Sequence, residues 1–141
     1  MKKTLILILT ILIVIIIISI VNIKNIQKEK QEILKYNSEF EYYCKDEILG
    51  TDMTTLINKA TDKNEKNNIS KNEKGYYIED NQNSIKVFIK MKDAESTYPM
   101  ENFYKAGIND FTKYFGSVKF KCFQIKYHEN SKISEIYFEE Q

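Results

Sequence analysis

Two cysteines, Cys44 and Cys122, and one histidine, His128, are the residues of this chain best equipped for chemistry. A thiol beside an imidazole is a nucleophile with its base, so Cys44 or Cys122 paired with His128 would make a thiol-enzyme dyad. The two thiols can instead meet each other. A Cys44–Cys122 disulfide would close a loop of nearly 80 residues, which on the chain-entropy model contributes about 4 to 5 kcal/mol. Left unpaired, both would serve as small apolar residues. The sequence leaves these alternatives open.

Other chemistry is thin. A zinc site wants four closely spaced ligands, which two distant Cys and one His do not supply, so no metal and no cofactor is expected. Gly50, Gly75, Gly107 and Gly116 stand apart from one another and form no phosphate-cradling loop. Glu139 and Glu140 are adjacent, and on a strand they would face opposite ways, unlike a paired acid and base. One interaction signal remains. Lys86, Phe88 and Lys90 on one strand, with Lys119, Lys121 and Phe123 on another, would share a solvent face if the two strands lay side by side. Such a basic face with aromatic rings suits a protein partner or an anionic ligand.

The chain of 141 residues has 21 Lys, no Arg and 20 acidic residues, enough for one domain of ordinary size. Met1 to Ile23 contains no acid, and the remaining 118 residues balance 19 Lys against 20 acids. No long-range field recruits a polyanion, and no Arg is present for bidentate phosphate or guanine contacts, so nucleic-acid binding is disfavoured.

From Thr4 to Ile23 sixteen of twenty residues are Leu, Ile or Val, and twenty helical residues span about 30 Å, the hydrocarbon thickness of a bilayer. The exit, Ser19-Ile20-Val21-Asn22-Ile23-Lys24, has no Ala-x-Ala cleavage pattern. The expectation is an uncleaved transmembrane anchor at 1–23, in contact with membrane lipid through 4–23. Lys2 and Lys3 before the span are opposed by Lys24, Lys28, Lys30 and Lys35 after it. The usual arrangement of an exported signal-anchor puts the N-terminus inside and residues 24–141 outside the cell.

After the span, Ile23, Ile26, Ile33, Phe40 and Cys44 keep a helical seam with Lys30 and Asn37 at its polar positions, giving a helical stalk over about 24–46. Gly50 breaks it. Thr51 or Asp52 is suited to cap a second helix carrying Met53, Leu56, Ile57 and Ala60 and ending near Asn64. Thr61 to Lys74 reads as a solvated loop. Tyr76–Glu79 and Ile85–Met91 read as a hairpin turning at Asp80 to Ser84. A third helix opens around Pro99 and closes at Gly116, with Gly107 as a point of close approach to a strand. A last hairpin, Val118–Tyr127 and Ile133–Glu139, switches facing near Cys122, which points to a bulge. The expected fold is α+β: a transmembrane helix running into an amphipathic one, packed on a small antiparallel sheet of about four strands with two further helices.

The Lys-Lys start, the apolar helix continuing into an amphipathic one and the small antiparallel sheet together resemble type IV pilin-like and pseudopilin-like proteins. The resemblance lies in architecture. Lys3-Thr4-Leu5 is followed by Ile6, without the Gly and Glu of that family's processing motif. The segment Gly50 to Ala60 is also similar to uncharacterised single-pass proteins of low-GC Gram-positive bacteria. The resemblance implies a non-catalytic surface or envelope assembly component that meets a protein partner or a second copy of itself. The alternative is a ligand-binding or sensory ectodomain using the Lys and Phe face.

Overall fold

The computed structural model describes residues 2–141. The chain is α+β, with a long N-terminal apolar helix, a five-stranded mixed sheet and two further helices. Helix α1 spans Lys2–Glu41, and a 3-10 turn, Tyr42–Cys44, follows it. Among the described residues this is the one helix long and apolar enough to cross a membrane. Within α1 the chain divides into two compact units, residues up to Lys35 and Tyr36–Gln141. Of the expected seam, Ile23 and Ile26 are exposed, while Asn37 and Phe40 are buried in the second unit.

The second unit is built on strands β1 (Ile48–Leu49), β2 (Lys86–Lys90), β3 (Tyr98–Pro99), β4 (Lys119–Tyr127) and β5 (Ile133–Glu140). Their order is β1-β4-β5-β2-β3. Every pairing is antiparallel except β2 with β5, which is parallel. Helices α2 (Gly50–Lys66) and α3 (Met100–Phe115) supply the rest of the core. Met53, Leu56, Ile57 and Ala60 recur at helical spacing, and all four are fully buried with Val87, Ile89, Phe120, Ile136 and Phe138 of the sheet. One face of the sheet therefore holds the core.

Two expected features are replaced. Tyr76–Glu79 forms no strand with Ile85–Met91, and its one ladder contact is an isolated bridge from Lys71 to Tyr77. The alternation in β2 sets which residues face inward, but its partners turn out to be β5 and β3, both distant in sequence. The Asp80–Ser84 segment is held instead by the Asp80 carboxylate, whose Oδ1 accepts the amides of Gln82, Asn83 and Ser84 at 3.0, 2.7 and 2.7 Å. Nor does the solvated loop begin at Thr61, because α2 runs on to Lys66 with Thr61 and Asn64 buried.

Two buried asparagines fasten strands to helices. Asn64 donates to the Ile85 carbonyl at 2.7 Å and accepts the Ile85 amide at 2.8 Å. Asn37 donates to the Ser131 carbonyl at 2.8 Å and accepts the Ile133 amide at 2.9 Å. Each satisfies backbone groups where a strand begins, beyond the reach of the ladder.

Helix α2 starts against the end of α3. The Gly50 and Thr51 amides, left over at a helix N-terminus, donate to the carbonyls of Val118 and Gly116 at 2.9 and 3.2 Å. Asp52 reaches back to the Leu49 amide at 3.4 Å, so the capping residue is Leu49 rather than Thr51 or Asp52. The approach is so close that a Cβ at Gly50 would run into the Phe115 carbonyl. Gly107 has a different part from the one expected: with φ 106° and ψ 105° it breaks α3 into two pieces, in a region L side chains avoid.

Candidate functional site

Cys44 and Cys122 are joined in a disulfide, with Cα atoms 5.0 Å apart. The bond ties the turn after α1 to β4, and of the sequence's open alternatives it is the one found. Both sulfurs are thereby taken up. His128 lies apart from any thiol, in the turn after β4, with its side chain fully buried. Its Nε2 is 2.7 Å from the Ser84 carbonyl; a carbonyl only accepts, so the neutral ring carries its hydrogen on Nε2. Nδ1 has no hydrogen-bond partner among the described residues and faces the Glu79 carboxylate at 3.8 Å. The histidine thus ties the turn after β4 to the segment leading into β2.

The facing switch expected near Cys122 is a β-bulge. Register passes from Cys122 opposite Phe138 to Gln124 opposite Tyr137, which leaves Phe123 as the extra residue. On the side of the sheet away from the core, period-2 alternation then brings out Lys86, Phe88 and Lys90 from β2 and Lys119, Lys121 and Phe123 from the β4 side. All six are exposed or half-buried. The two strands do not lie side by side, however, because β5 runs between them.

That insertion changes the electrostatics of the face. Glu139 stands between Lys90 and Lys121 in register, and Glu135 between Lys86 and Lys126. A basic patch becomes two Lys–Glu–Lys rungs, with an aromatic row between them. Phe88 stacks on Tyr137 with ring centroids 4.7 Å apart and planes 11° from parallel, and Phe123 is 5.9 Å from Tyr137 on the other side. Contacts of this kind are worth about 0.5–1.5 kcal/mol each beyond the area they bury.

One rung is hydrogen-bonded on its β4 side. Lys126 Nζ lies 2.8 Å from Glu135 Oε2 and 3.0 Å from the Tyr137 hydroxyl, which itself donates to Glu135 Oε2 at 2.6 Å. Burial pushes the Glu135 carboxyl up, but the hydrogen bonds from Lys126 and Tyr137 and the charges of Lys126 and Lys86 outweigh it and bring it down overall. At the far corner Lys119 pairs with Glu47 at 3.0 Å. The face presents ring edges framed by charges of both signs, an arrangement suited to a protein surface and poorly matched to a polyanion.

Reading the strands alone missed Glu135, Tyr137, Glu139 and Lys126. The signal for the first three was present: Glu135, Tyr137 and Glu139 alternate with Ile136 and Phe138 as strictly as the residues of β2 do. What the pattern does not carry is which strand neighbours which. Comparison of the chain with protein families, with curated proteins and with solved structures finds no match.

Proposed function

We propose that the chain is a membrane-anchored, exported component of a surface or envelope assembly, acting by contact rather than catalysis and organised in a pilin-like way. Its N-terminus lies inside and Tyr36–Gln141 outside. The observation that carries this reading is the sheet face remote from the core, where Phe123, Tyr137 and Phe88 form an aromatic row between two mixed-charge rungs. The membrane-competent length of α1 supports an anchor. The Cys44–Cys122 bond supports export, since disulfides persist where the surroundings are oxidising.

The test uses the full chain in intact cells. An Asn81→Cys variant adds one thiol on an exposed loop, and a membrane-impermeant maleimide should label it before lysis. A photo-crosslinking residue in place of Phe123 should give adducts with a second copy or a distinct envelope protein, whereas one in place of Thr55, exposed on α2, should not. Phe123→Asp should abolish adducts formed from position 90. Labelling that needs lysis, or equal adducts from positions 123 and 55, overturns the reading.

A further inference from the structure

A second site stands on observations independent of the sheet face. Thr61 of α2, Lys71, Gly75 and Tyr77 of the connection to β2, and Glu101, Tyr104 and Lys105 of α3 line an open cavity of about 280 Å³. That lies just under the usual 300–1,000 Å³ of small-molecule sites, room for one small molecule and not for a polymer.

Its wall holds an unmet polar group. Glu101 is 5% exposed, and its Oε1 accepts the Tyr77 amide at 2.9 Å. Its Oε2 is buried with no hydrogen-bond partner among the described residues. A buried carboxylate oxygen left without a donor is costly. The site therefore calls for a hydrogen-bond donor, best a cationic one.

The rest of the lining specifies more. Lys71 Nζ is held by Glu65 Oε1 at 2.6 Å and lies 4.5 Å from the Tyr77 ring centroid. Lys105 Nζ donates to the Lys74 carbonyl and lies over the Tyr76 ring at 4.3 Å. An ammonium has three donors, and these contacts leave donor capacity on both. A plain cation would meet two ammonium groups here, and a plain anion would meet Glu101. We propose that the cavity binds a small zwitterion of the α-amino-acid class, its ammonium on Glu101, its carboxylate toward Lys71 and Lys105, and its apolar part against the Tyr77 and Tyr104 rings.

The full chain in detergent micelles, titrated with L-leucine and then with the other proteinogenic amino acids, tests this by calorimetry. At least one should bind saturably below about 10 mM. For that amino acid, the N-acetyl and the amide derivatives should each bind at least about tenfold more weakly. Glu101→Gln, which keeps the shape and the acceptor for Tyr77, should weaken binding by a similar factor, and so should Lys105→Gln on the exposed rim. The second variant keeps the test valid if the first perturbs folding. Absence of saturable binding by any of them, which would leave water as the partner of Glu101, overturns the proposal. So does equal binding of the amide derivative, or binding that neither variant changes.

Discussion

Replacing Asn64 with alanine strips the Ile85 carbonyl of its donor and the Ile85 amide of its acceptor in one step, both at a fully buried position. Each unsatisfied group costs about 1–3 kcal/mol, so Asn64→Ala should destabilise the folded domain by about 2–6 kcal/mol, seen as a lower urea midpoint. Asp80 yields a prediction in pH. Burial pushes its carboxyl up, but the amides of Asn83, Ser84 and Gln82 together hold it at about 2, below the ordinary 3.8. A depressed folded-state value means stability that is complete above the unfolded value and is lost as pH falls through the folded one. Asp80→Asn keeps an acceptor for the amides and removes the charge, so its urea midpoint should fall less than the wild type's between about pH 4 and pH 2. Neither role is legible in sequence, where Asn37 and Asn64 look like polar punctuation of a helix and Asp80 like a turn residue. Their partners are backbone groups that only the tertiary fold brings near.

Helices and long strands were legible because apolar spacing records which side of an element is buried. Residues of α2 and the alternation of β4 and β5 are where that spacing puts them, and the bulge at Phe123 follows from the broken alternation of β4. Pairing was not legible. The parallel alignment of β2 with β5 joins segments about 50 residues apart, and β1 and β3, two residues each, are too short to have a period. The same holds for the contact face: its six Lys and Phe residues were readable from alternation, while the acidic strand between them was not. Glycines mark where elements meet. Gly50→Ala would force α2 off the Phe115 carbonyl at a cost of about 1–3 kcal/mol. Gly107→Ala would place a side chain at φ 106°, for a similar cost of about 1–3 kcal/mol. Both should lower the thermal midpoint of the full chain without changing its far-ultraviolet circular dichroism at low temperature.

On the scale of the whole molecule, the apolar helix, read as a membrane span, and the disulfide are the two large terms. The apolar residues of Thr4 to Ile23 contribute about −5 to −10 kcal/mol to insertion, and an Asp at the centre costs about 3 kcal/mol. Ile13→Asp alone should leave the chain in the carbonate-washed membrane fraction, whereas Ile13→Asp with Ile16→Asp should release much of it. Reduction of Cys44–Cys122, or its replacement by two alanines, should remove about 4 kcal/mol from the stability of the folded domain, read from urea titrations with and without reductant. The position of that bond has a mechanical side as well. Along the covalent chain, a pull applied between the N-terminus and the C-terminus passes from Cys44 straight to Cys122, bypassing the stretch between them, a sequence separation of 78. Helices α2 and α3 with β1, β2 and β3 lie inside the covalently closed loop, so an oxidised molecule fully stretched between its ends should lengthen by about 260–280 Å less than a reduced one. Tethered at one end and tugged at the other, the protein can yield at its C-terminal strands while the chain closed between Cys44 and Cys122 is never drawn out to its full length.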